Sequence, residues 1–236
     1  MEKQARRGFV PTDERDFGEK SIPTLRKAAK EVYYLLCRDY PVTSTTKFVG
    51  NHYLLSERQR LALARTISAE ENILSRKSRK VSDISKETLY IDGFNVIIGL
   101  EIAYSDSMLF QCMDGTIRDL AGLRGTYRLI PQTDSAITAL LQTLEELQVQ
   151  KAVIYLDKPV SNSGRLKQRI YELADNIPFE LEVLIEDPVD ALLKTKPLIA
   201  SADAIILDNC DRWFNLVKCV IEKRIGRYDY IDIIPH

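Results

Sequence analysis

The stretch Thr88-Leu89-Tyr90-Ile91-Asp92-Gly93-Phe94-Asn95-Val96-Ile97-Ile98 decides the fold. An apolar, β-rich run stops at a carboxylate, Gly93 and Asn95 supply turn chemistry, and a second apolar run follows. The pattern predicts a buried strand with Asp92 at its carboxyl end. In an open parallel sheet covered by helices, ligands bind outside the carboxyl ends of the strands, where this Asp would stand. The same arrangement recurs downstream: Asp114 follows the apolar run 108–113, Asp157 follows 152–156 and Asp208 follows 204–207. Between the last two, residues 179–185 alternate apolar and acidic as on a half-buried edge strand, and Glu186, Asp187 and Asp190 come next.

Helical periodicity separates these strands. Ile137, Leu140, Leu141, Leu144 and Leu147 form one apolar face, as do Leu166, Ile170 and Leu173, and then Phe214, Val217, Val220 and Ile221. A short helix is expected after Pro188, and residues 230–234 read as a final strand. Strand and helix alternate with short connections, which predicts an α/β domain over 86–236 with a mostly parallel, Rossmann-like sheet and helices on both faces.

Upstream the pattern is different. Residues 1–20 are polar, contain Pro11 and Gly18, and read as an arm. Leu25, Ala28, Ala29, Val32, Leu35 and Leu36 lie on one face of a helix that starts near Pro23 and ends before Tyr40-Pro41. A second short helix is expected after Ser44, and Ser56 with Gln59 is a capping-box signal for a third, carrying Arg58, Arg60 and Arg65. Residues 21–80 thus form a small basic all-α module, closing on Arg76-Lys77-Ser78-Arg79-Lys80, which is either a phosphate-contacting strip or a solvated linker.

Composition narrows the chemistry. Of 236 residues, 45% are hydrophobic and 28% charged, as in an ordinary globular protein, and no apolar run approaches the ~20 residues of a membrane span, so a cytoplasmic protein is expected. The 4 cysteines (Cys37, Cys112, Cys210, Cys219) show neither zinc nor disulfide spacing, and the 2 histidines are His52 and His236. Any metal would therefore be held by oxygen. The net charge of −1 divides into +6 over residues 1–88 and −7 over the remainder, as expected if the front half meets a polyanion and the back half holds cations.

Carboxylates brought to one sheet edge repel one another and persist there with cations among them; hard oxygen ligands suit Mg²⁺ or Mn²⁺, which activate water and stabilise a leaving oxygen in phosphodiester hydrolysis. Singly, each acid has a plainer role: Asp208 and Asp211 as helix caps, Asp114-Gly115 as a turn, Asp190 as a partner of a helix N-terminus. Asp92 and Asp157 together favour function. After Asp157, the loop 158–164 offers Ser161, Asn162 and Ser163 to a phosphate, or simply turns into the next helix. Arg118 and Arg128 either bind phosphate or neutralise Asp119.

Asp92-Gly93-x-Asn95, Asp157, Asp190 and Asp208-x-x-Asp211 resemble the PIN and NYN superfamily of metal-dependent nucleases. In that pattern a Ser or Thr usually ends the late strand before the Asp, whereas here Leu207 stands there. Residues 22–236 also resemble an uncharacterised prokaryotic family that joins a helical module to a PIN-like half bearing Pro159-Val-Ser-Asn-Ser-Gly164. The resemblance implies hydrolysis of RNA. Asp92, Asp157, Asp190 and Asp208 would hold Mg²⁺ or Mn²⁺, with Asp114, Asp187 and Asp211 in reserve. Asn95 would orient the first ligand or the attacking water, and nucleic acid would lie on Arg58, Arg65, Arg118 and the strip from Arg76 to Lys80. The alternatives are a non-catalytic nucleic-acid-binding or regulatory protein on the same fold and, less well supported since no Gly-rich phosphate motif is present, a nucleotide-binding enzyme.

Overall fold

The computed structural model describes residues 6–122, 125–226 and 228–235; His236 and the first five residues of the expected arm lie outside them. In chain order the elements are α1 (Asp13–Phe17), α2 (Ile22–Leu36), α3 (Val42–His52), α4 (Glu57–Thr66), α5 (Glu70–Arg79), β1 (Thr88–Asp92), α6 (Gly93–Tyr104), β2 (Phe110–Gln111), β3 (Ile117–Arg118), α7 (Pro131–Glu146), β4 (Lys151–Asp157), α8 (Ser163–Leu173), β5 (Glu180–Glu186), α9 (Val189–Leu193), β6 (Ile199–Ala200), α10 (Ala204–Leu207) and α11 (Leu216–Arg224). They fall into two compact units, one made of 8–78, 107–120 and 229–236, the other of the remainder.

The α/β unit is built on a parallel sheet in the order β5-β4-β1-β6. From β1 the chain steps outward to β4 and β5, then returns to β6 on the far side of β1. The order therefore reverses at β1, which makes the gap between β1 and β6 the switch point of the sheet. Alternation sorts the side chains: Val153 and Tyr155 of β4 join Val189 and Leu193 of α9 in one core, while Ile154 and Leu156 face α6 on the other side. Gly93 makes that second contact possible. A Cβ there would lie 2.7 Å from Leu156 Cδ2 and from the Tyr155 carbonyl, so only glycine lets α6 begin directly behind β1.

In the helical unit, Leu25, Ala28, Ala29, Val32 and Leu36 of α2 form a core with Val49 of α3 and with Ala62 and Leu63 of α4. The capping box is realised: Ser56 Oγ accepts from the Gln59 amide, and Gln59 Oε1 accepts from the Ser56 amide. Part of the expected arm belongs to this unit, for α1 buries Phe17 in the same core. Two segments expected in the sheet domain belong here too. Residues 108–113 do not enter the parallel sheet; β2 and β3 make an antiparallel hairpin with Asp114-Gly115 in its turn, and 230–234 give one bridge, Ile231 to Phe110, instead of a strand.

Asp114 is thus not a sheet-edge acid. It is buried, its Oδ2 accepting from Arg76 at 2.7 Å and Arg118 at 2.5 Å and its Oδ1 accepting from Thr116. Burial pushes its carboxyl up, but Arg118, Thr116 and Arg76 outweigh that and hold it below the usual carboxylate range. Removing one partner of a buried ion pair leaves uncompensated charge. Asp114→Ala is expected to cost about 3–5 kcal/mol in urea unfolding; a loss under about 1 kcal/mol would show that the pairing carries no such load.

Candidate functional site at the sheet switch point

Asp92 ends β1 and caps α6, accepting from the Asn95 amide at Oδ1 (3.3 Å) and from the Ser201 hydroxyl at Oδ2 (2.8 Å). It is only 6% exposed. Burial pushes its carboxyl up to about 7; the Ser201 and Asn95 hydrogen bonds pull the other way, while the charges of Asp157 and Asp203 push further up. The Asn95 side chain bridges to the chain after β6. Its Oδ1 accepts from the Ala202 amide at 2.8 Å, pinning the segment after β6 against the start of α6.

That segment carries a further acid, Asp203. Ser201 Oγ donates to Asp92 and accepts from the Asp203 amide at 3.0 Å, and Asp203 caps α10 through the Ile205 and Ile206 amides. Asp157 ends β4; burial, then Asp190 and Asp187, raise its carboxyl. Asp190, in the first turn of α9, is raised by burial and by Asp203, with Lys194 opposing. The repulsions close a ring, from Asp92 to Asp157 to Asp190 to Asp203 and back to Asp92. Among the described residues, no three acid, His or Cys side chains are drawn closely enough together to ligate one ion.

Asp208 lies elsewhere. Residues 204–207 are not a strand but the short helix α10, and Asp208 is its C-cap, with its carbonyl accepting from Arg79. The sheet strand is β6, three residues earlier, and Ser201-Ala202-Asp203 follows it at the place where Leu207-Asp208 was expected. Asp187 is exposed beside this ring, and Asp211 is exposed in the loop before Trp213. The hydroxyls and amide expected to meet a phosphate are engaged internally: Ser161 and Asn162 bond the backbone of Tyr127, and Ser163 donates to the Asp157 and Val160 carbonyls.

The expected nucleic-acid surface is also largely committed. Arg58 pairs with Asp13, Arg65 with Asp119, and Arg76 and Arg118 with Asp114. Arg79 donates to the Asp208 and Cys210 carbonyls, Lys80 lies 5.7 Å over the Trp213 ring, and Lys77 is exposed on α5. No described helix is long and apolar enough to cross a membrane.

Residues 81–219, more than half of the chain, match the family model described as a domain of unknown function, DUF5616. The chain belongs to that family. Residues 24–79 match a second model, a protein of unknown function, DUF434, so the two matches meet close to where the compact units divide, at residue 79. The uncharacterized protein MJ0935 of Methanocaldococcus jannaschii is 37% identical over 210 residues, covering 88% of this chain and 98% of that protein. No solved structure matches.

The ring makes a prediction about stability. Because the folded state raises the Asp92 carboxyl from 3.8 to about 7, folding favours its protonated form. Stability is therefore lost as pH rises through that window and is flat above it. Asp92→Asn removes the penalty. In metal-free buffer it should melt higher than the native protein at pH 8, by an amount on the order of a few kcal/mol, and the advantage should shrink towards pH 4. An Asn variant less stable at pH 8 would contradict the assignment.

Proposed function

We propose that this protein hydrolyses phosphodiester bonds in nucleic acid, with RNA the expected substrate, through a divalent cation held by Asp92, Asp157, Asp190 and Asp203. The observation that carries the reading is the closed ring of mutually repelling carboxylates at the switch point of a parallel sheet. Ion-paired acids explain themselves; among the described residues these four make no arginine or lysine salt bridge, and Lys194 eases only the Asp190 carboxyl. The donor set is oxygen only, as Mg²⁺ and Mn²⁺ require. A cation between them would offset their mutual repulsion.

Bound there, the cation would supply an activated water and charge stabilisation for the leaving oxygen. The chain's own groups do the rest. Asp92 and Asp203 are held in register by one hydroxyl, Ser201, which serves both, and Asn95 fixes the connecting backbone.

The test is cleavage of labelled RNAs with Mn²⁺, Mg²⁺ or EDTA by the native protein and single Asn variants. Asp92→Asn, Asp157→Asn and Asp203→Asn should each lose at least about a hundredfold in rate, the scale of a removed catalytic contact. Asp208→Asn, at a helix end, should stay within about threefold. Equal loss in Asp203→Asn and Asp208→Asn would refute this choice of ligands. If the native protein cuts nothing with either metal, the acids reduce to caps and turns, and a binding role on the same fold replaces the enzyme.

A further inference from the structure

Two of the proposed ligands stand at the ends of neighbouring strands, and one residue that touches neither reaches the backbone following both. Tyr127 is fully buried. Its ring meets Phe94, two residues after Asp92, edge to face at 5.1 Å. Its backbone holds the loop after Asp157: the Tyr127 amide donates to Ser161 Oγ at 3.0 Å, and its carbonyl accepts from Asn162 Nδ2 at 2.6 Å. The Ser161 amide donates to the Gly125 carbonyl at 3.0 Å, which ties the same two segments a second time. Asn162 adopts a left-handed conformation, φ 63°, to make this turn into α8.

The phenol is fixed as firmly as the backbone. It donates at 2.7 Å to Glu101, a fully buried carboxylate two turns further along α6, and Thr133 Oγ donates to the same oxygen. Arg7 pairs with Glu101 and lies 4.7 Å over the Tyr127 ring. Glu101 is therefore not a stray member of the acid ring. It is the anchor of a clasp whose three donors come from the chain's start, the loop before α7 and α7 itself.

We propose that Tyr127 is a positioning residue that sets the separation of Asp92 from Asp157. Fastened to α6 through Phe94 and Glu101, and to the loop after β4 through Ser161 and Asn162, it fixes how far apart the two strand ends lie. Its functional weight rests on the cation reading above, because the separation of the two carboxylates decides whether both reach one ion. Sheet pairing already sets Asp92 opposite Tyr155 in the backbone register. What the register leaves open is the course of the chain beyond each strand, and that is where Tyr127 acts.

The test compares Tyr127→Phe, which removes only the phenol bond to Glu101, with Tyr127→Leu, which also removes the ring. Amide hydrogen exchange is read well below the melting temperature. In Tyr127→Leu, exchange should rise at least about tenfold both in 93–96 and in 158–163, with β5 unchanged. A rise in one segment alone, or an equal rise in β5, would overturn the clasp. Mn²⁺ affinity, followed by electron paramagnetic resonance, should fall about tenfold or more in Tyr127→Phe and further in Tyr127→Leu, with both variants folded; this scale is that of residues that orient metal ligands. Unchanged affinity would overturn the positioning role. If the native protein binds no Mn²⁺ while both segments still loosen together, the cation reading falls and the clasp stands.

Discussion

The structure depends on a carboxylate buried at the end of a central parallel strand. Burial of Asp92 is unfavourable for its charged form, and the elements around it answer that cost. The first turn of α6 offers an amide, Ser201 offers a hydroxyl, and Gly93 allows the helix to start close enough to do so. Those contacts do not restore an ordinary carboxyl, since burial outweighs them and Asp157 and Asp203 add repulsion. Asp92 carries that cost at the carboxyl end of its strand with no basic partner among the described residues.

The contrast with Asp114 makes the point sharper. Both acids are buried at the end of a β segment, and burial acts on both in the same direction. Asp114 receives two guanidinium groups and a hydroxyl and is held ionised; Asp92 receives a hydroxyl and an amide and is raised. One is an internal ion pair that joins α5 to the hairpin of the helical unit. The other has a hydroxyl and an amide against it and, among the described residues, no guanidinium.

Much of this was legible in the sequence, and the failures have physical causes. β1, β4 and the half-buried edge strand β5 read correctly, because a continuous or alternating apolar run bounded by acids has few other interpretations. The capping box of α4 read correctly because two side chains specify it. α6 escaped notice: nearly every residue from Gly93 to Ala103 is buried, so the helix has no polar face and no helical period to detect. β6 was hidden by its length of two residues, and the apolar run of α10 beside it took its place. The acid that follows the late strand is therefore Asp203, five positions before Asp208. Within the basic strip, a run of cations does not reveal that Arg76 is buried against an aspartate from a distant hairpin while Lys77 and Lys80 are exposed.

The most direct measurement is anomalous diffraction from crystals grown with Mn²⁺. The account predicts a manganese peak at the switch point between β1 and β6, with carboxylate oxygens of Asp92, Asp157, Asp190 and Asp203 as ligands. A crystal saturated with Mn²⁺ that leaves this place empty, or binds the ion only on exposed acids elsewhere, would contradict it.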